Sequence, residues 1–316
     1  MWTVRRSRPL SGALFVGALM LTAAFLAVGF VGVKRYGWNY WLYRGFPPPV
    51  DPAYVKVKGV QQRISVVSAA LGGRSQEVYV YLPPGYARHP HRRYPVIYLL
   101  HGFPGRPLAF LLTVRVGVVQ DELYAKRTAP PAILVMPFGS TGTFTDKEWA
   151  NGASPGEDWA TFVSRDVVQA IDSRYRTIPS PAARAIVGLS EGGYGAINIA
   201  LHNPNEFGVV ESWSGYERAP ANNSVFGRNL QTVVANTPFD VLPSVAPALR
   251  QGHVVFWFYS GKDDPYRLQN RAFARELKRY RIKHHYYEFR GGHNWALWRG
   301  QATRSLRFAE RRLAHG

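Results

Sequence analysis

Gly188-Leu189-Ser190-Glu191-Gly192-Gly193-Tyr194-Gly195 decides how this chain is read. The apolar, β-branched run at 184–188 predicts a buried strand, and 196–202 has helical composition. Strand, G-x-S-x-G, helix is the context of a nucleophile elbow. There the serine occupies a strained turn and its Oγ stands clear at the carboxyl edge of a sheet. Flanking glycines let strand and helix approach closely. G-x-S-x-G alone arises often by chance; the strand before it and the helix after it make Ser190 the candidate nucleophile.

A nucleophile needs a base, and the base needs an orienting acid; in α/β-hydrolases they follow in the order Ser, Asp/Glu, His. Residues 254–260 read as a fully buried strand and run into Gly261-Lys262-Asp263-Asp264-Pro265, a turn with two carboxylates. A helix-like segment at 268–280 and a strand at 284–289 follow, ending in Arg290-Gly291-Gly292-His293-Asn294-Trp295. Of nine histidines, His293 alone joins this order to a glycine approach. His89 and His91 lie in a Pro/Arg-rich loop, His284 and His285 open a strand, and His315 is in the tail. His202 has the place of a helix cap, and His101 that of a loop brace. Asp264, three residues past Gly261, is the favoured acid; Asp263 is the alternative. The reading is a serine hydrolase.

Two backbone N–H groups should form an oxyanion hole. One belongs to the residue after the nucleophile, Glu191. The other follows the strand at 95–101, in Gly102-Phe103-Pro104-Gly105. Pro104 has no N–H, which leaves Phe103.

These segments, with Val80-Tyr81-Leu82-Pro83-Pro84-Gly85-Tyr86 before them, resemble the esterase D superfamily over residues 60–312. That group includes S-formylglutathione hydrolases, feruloyl and enterochelin esterases, and the mycobacterial antigen 85 mycolyltransferases. The resemblance implies an α/β-hydrolase fold, with Ser190 as nucleophile, Asp264 as acid, His293 as base, and the amides of Phe103 and Glu191 as oxyanion donors. Glu191 departs from the pattern, because many members carry an apolar residue such as methionine there. A carboxylate beside the hole disfavours negative charge in it unless it is turned away or paired.

Residues 9–33 carry no charge and are long enough to span a bilayer core. Arg5, Arg6 and Arg8 precede them, and the apolar run exceeds the 7–15 residues of a cleaved signal core. The expectation is a single-pass signal anchor at 9–33 with a cytoplasmic basic stretch at 1–8. An aromatic and proline-rich spacer at 34–53 and a catalytic domain at 54–316 follow, the domain lying outside the cell membrane of a bacterium. The aromatic cluster at 36–43 suits either a membrane interface or packing on the domain. Inside the domain, the runs at 76–82, 95–101, 132–137, 184–189, 209–214 and 254–260 alternate with helical segments. They predict an α/β fold with a mostly parallel central sheet flanked by helices. The stretches 139–158 and 216–252 read as irregular cleft-building loops.

The absence of cysteine excludes disulfides, thiol catalysis and Cys-ligated metal. No metal or dinucleotide motif appears, so no cofactor is expected. The net charge is +19, and residues 267–312 hold thirteen Lys/Arg against three Glu. That surface is either merely solvated or attracted to anionic lipid or cell-wall polymer; nucleic acid is not expected for an anchored, exported enzyme. The expected function is hydrolysis of a small-molecule or lipid carboxylic ester. The alternative is transfer of the acyl group to a sugar or lipid hydroxyl, and a non-catalytic binding protein on the same scaffold is a more distant third.

Overall fold

The structure, a computed structural model, describes residues 10–221, 224–227 and 229–314. The basic stretch at 1–8 and His315 lie outside the described residues. The chain divides into two compact units, Met1–Pro47 and Pro48–Gly316. In the first, α1 (Leu10–Tyr43) is a single helix of 34 residues. Its part Leu14–Tyr43 is long and apolar enough to cross a membrane, with a mean hydropathy of 2.4. The aromatic run at 36–43 is the end of this helix, so the spacer expected at 34–53 is helical in its first half. Nothing in 34–43 breaks a helix until Arg44 and Gly45 take positive φ, 54° and 83°, ahead of the prolines at 47–49.

The second unit is built on an eight-stranded sheet in the order β1-β2-β4-β3-β5-β6-β7-β8. In chain order its elements are β1 (Val60–Ser68), β2 (Arg74–Leu82), β3 (Val96–Leu100), α2 (Val116–Ala125) and β4 (Ile133–Pro137). Then α3 (Trp159–Thr161) passes through a π-helical turn (Phe162–Val167) into α4 (Val168–Arg174), followed by β5 (Arg184–Leu189), α5 (Glu191–His202) and β6 (Val209–Trp213). The chain closes with α6 (Leu230–Ala235), α7 (Pro238–Gln251), β7 (Val255–Gly261), α8 (Arg267–Arg279), β8 (Lys283–Phe289) and α9 (Trp295–Arg312). β1 and β2 pair antiparallel, as do β2 and β4, whereas the pairings from β4 through β3 to β8 are parallel. This is the α/β arrangement that the alternating runs predict.

Strand alternation feeds two cores. Val96, Tyr98 and Leu100 face one, with buried side chains from α4, α5, α7 and α8. Ile97 and Leu99 face the other, closed by α2 and α9. Each such buried side chain contributes roughly 1.5–3 kcal/mol of transfer free energy. One expectation fails: 216–252 is not irregular throughout, because α6 and α7 lie in it. Pro243 and Pro247 lie inside α7, and both sit on its exposed side. Leu242, Ala246 and Leu249 keep a helical apolar stripe beneath them. Because β3 and β5 to β8 run parallel, the loops carrying Phe103, Ser190, Asp264 and His293 all leave one edge of the sheet.

Candidate active site

Ser190 joins β5 to α5 with φ 55° and ψ −122°, a conformation that β-carbon sterics oppose. Its N–H donates to the Trp213 carbonyl at 2.9 Å, and its carbonyl accepts from Gly193 at 2.8 Å. The turn is tight because Gly192 lies against β3: a Cβ there would come within 2.0 Å of the Leu100 carbonyl oxygen. Only glycine fits that contact.

Ser190 Oγ is 2.8 Å from His293 Nε2, and His293 Nδ1 is 3.1 Å from Asp264 Oδ2. This pairing selects the tautomer with the proton on Nδ1, leaving Nε2 to accept from the serine. The imidazole stands edge-on to Trp298 and Tyr266, with ring centroids 5.0 and 5.5 Å away. The loop of His293 presses on the end of β7, where a Cβ on Gly261 would meet the Gly291 carbonyl oxygen at 2.2 Å. Asp264 is buried, and its Oδ1 accepts the Tyr266 N–H at 2.9 Å. Burial alone pushes this carboxyl up, but the hydrogen bonds from His293 and Tyr266 outweigh it, so Asp264 lies below the usual carboxylate range. Asp263 is exposed, with its N–H on the Gly291 carbonyl at 3.0 Å. Of the two adjacent carboxylates, only Asp264 meets the imidazole.

Among the described residues, no hydrogen bond inside the protein uses the N–H of Phe103 or of Glu191. The Phe103 loop is held from behind by His101, which burial lowers to about 4 and so keeps neutral. Its Nδ1 donates to the Gly102 carbonyl at 3.0 Å, and its Nε2 accepts the Gly139 N–H at 3.2 Å. The Glu191 side chain is buried, and burial together with the charges of Glu148 and Asp146 raises it well above the usual range. Glu148 in turn accepts a hydrogen bond from the Tyr216 hydroxyl. Among the described residues, no group of three or more His, Asp and Glu is placed to hold a metal ion.

A family model described as "Putative esterase" matches residues 68–309. The chain belongs to that esterase family. A xylanase/feruloyl esterase of Xylanibacter ruminicola is 32% identical over 146 residues, 45% of this chain and 20% of its own length. An esterase of Mycobacterium tuberculosis is 27% identical over 249 residues, 70% of this chain and 53% of its own. The chain thus spans about half or less of the first curated relatives that it matches. A solved ferulic acid esterase shares the fold, with a TM-score of 0.71 at 24% identity over 80% of this chain and 99% of that one.

On this esterase-family frame, some neighbours of the site escape a sequence reading. Tyr216 stacks on Tyr194 at 4.9 Å and 11° and leans on Tyr266 at 5.1 Å, which brings the Glu148 loop to the wall beside His293. The contact of Tyr266 with Asp264 was within reach of the sequence, since an Asp side chain commonly bonds the N–H two residues on.

Proposed function

We propose that the chain is a serine esterase. The observation that carries this is the continuous hydrogen-bond line from Ser190 through His293 to Asp264, set on a strained elbow. Ser190 Oγ attacks the ester carbonyl as His293 Nε2 takes its proton. The carbonyl becomes an oxyanion facing the amides of Phe103 and Glu191, and the alkoxide leaves with the proton that His293 returns. Water, deprotonated by the same imidazole, then releases the acid and restores the serine. Asp264 holds the ring in the required tautomer and stabilises its cation. A sugar or lipid hydroxyl in place of water turns the same acyl-enzyme into a transferase, and product analysis with added glycerol or trehalose separates the two. The apolar helix α1 is proposed to tether the chain to a membrane, with the catalytic unit outside the cell.

The test is Ser190→Ala. Labelling by a fluorophosphonate probe should disappear and kcat should fall by roughly four to six orders of magnitude. Retained labelling or turnover refutes the assignment.

A further inference from the structure

The exposed arginines of α9 are not scattered. Arg304, Arg307, Arg311 and Arg312 follow helical spacing along one side of the helix. They rim a groove of about 330 Å³ whose remaining wall is Trp257, Tyr287 and Phe308. The rings form a continuous surface: Phe308 stacks over Trp257 at 6.0 Å, Trp257 meets Tyr287 at 5.7 Å, and Tyr287 stacks on Phe289 at 5.7 Å. The Arg304 guanidinium lies over Phe289 at 5.1 Å. Arg311 also lines a neighbouring groove of about 680 Å³ with Arg127, Thr128 and Pro131, and its Nε donates to the Thr128 carbonyl at 2.6 Å. The two grooves therefore share a guanidinium.

The charge here is uncompensated. No carboxylate lines either groove. Among the described residues, none of Arg127, Arg304, Arg307, Arg311 and Arg312 has an ion-pair partner. The carboxylate of α9, Glu310, is buried and faces inward. A merely soluble surface intersperses both signs; this one does not. The cations are arginines, whose planar forks match phosphate oxygens with paired N–H groups. Measured from Trp295 at the site end of α9, Arg304 and Arg311 lie about 14 and 24 Å along the helix. The grooves are thus distinct from the ester-cleaving centre.

We infer that these joined grooves bind a linear polyanion carrying phosphate groups. The Arg304–Arg312 row takes successive phosphates along the chain. A bilayer fits less well, because Trp257 is buried and Tyr287 and Phe308 are only partly exposed, so few apolar rings reach a membrane interior. This binding does not depend on the triad chemistry.

The test uses the full chain in neutral detergent, with fluorescent inorganic polyphosphate followed by anisotropy. Binding should weaken steeply with salt, and the double variant Arg307→Gln/Arg311→Gln should lose roughly tenfold or more in affinity. Ester turnover should be unchanged, which keeps this result independent of the esterase reading. A control, Arg275→Gln/Lys278→Gln on exposed positions of α8, removes the same charge elsewhere and should cost far less. Equal loss in the control, or none in the α9 variant, overturns the inference in favour of bulk charge. Binding to anionic phosphatidylglycerol vesicles without binding to polyphosphate overturns it in favour of a membrane surface.

Discussion

Asp263 and Asp264 are neighbours with opposite surroundings, one exposed and one buried against His293. Asp264→Asn should lower kcat by about three to four orders of magnitude, since an amide no longer selects the tautomer or stabilises the imidazolium. Asp263→Asn should leave kcat within a few-fold; steady-state kinetics on a chromogenic ester distinguishes them, and the opposite ranking would move the acid to Asp263. Glu191 makes a second claim at this scale. Burial and the charges of Glu148 and Asp146 raise its carboxyl well above the usual range, so it ionises at higher pH than an exposed glutamate. An anion there opposes the oxyanion, so kcat should decline as Glu191 ionises, and Glu191→Gln should extend the plateau of the pH profile upward. A pH profile indistinguishable from that of the parent would detach Glu191 from the hole. Ser190, Asp264 and His293 were legible because each follows a strand in a fixed chain order. The company of Glu191 was not, because Glu148 and Tyr216 arrive from separate loops and nothing in local sequence joins them.

At the level of elements, the buried strands announced themselves as short apolar runs, whereas β1 did not: most of its residues are exposed, so neither alternation nor a run marks it. α7 hid behind its prolines. β6 breaks the apolar rule at Glu211 and Ser212; Glu211 is fully buried and raised to about 8 by that burial despite hydrogen bonds from Ser305 and Trp213. Its folded pKa lies above the ordinary unfolded value, so the folded state holds the extra proton. This contribution is fully present at low pH and is lost as pH rises through about 8. Stability should therefore fall between about pH 5 and 8, and Glu211→Gln, which keeps the shape and an acceptor for Ser305, should flatten part of that slope. Urea unfolding across the range checks it; an unaltered slope in the variant would place the proton elsewhere.

For the molecule as a whole, Pro48–Gly316 is compact and contains, among the described residues, every strand and the candidate site. A chain starting at Pro48 should be soluble and keep the kcat of the full chain, while the full chain stays with membranes on fractionation. Loss of activity in the shortened form would show that α1 contributes to the catalytic unit. Inside that unit the elbow is a stability–activity trade-off. Ser190 holds a left-handed φ that costs roughly 1–3 kcal/mol, and the cost falls on the folding equilibrium of the entire domain, since the elbow is wedged between β3, β5 and β6. Glycine adopts that φ freely and gives back less than about 1 kcal/mol in the unfolded chain. Ser190→Gly should therefore be inert and yet melt a few degrees higher, while Ser190→Ala, equally inert, keeps the strain and the lower melting point. Selection for endurance alone would favour glycine at this position.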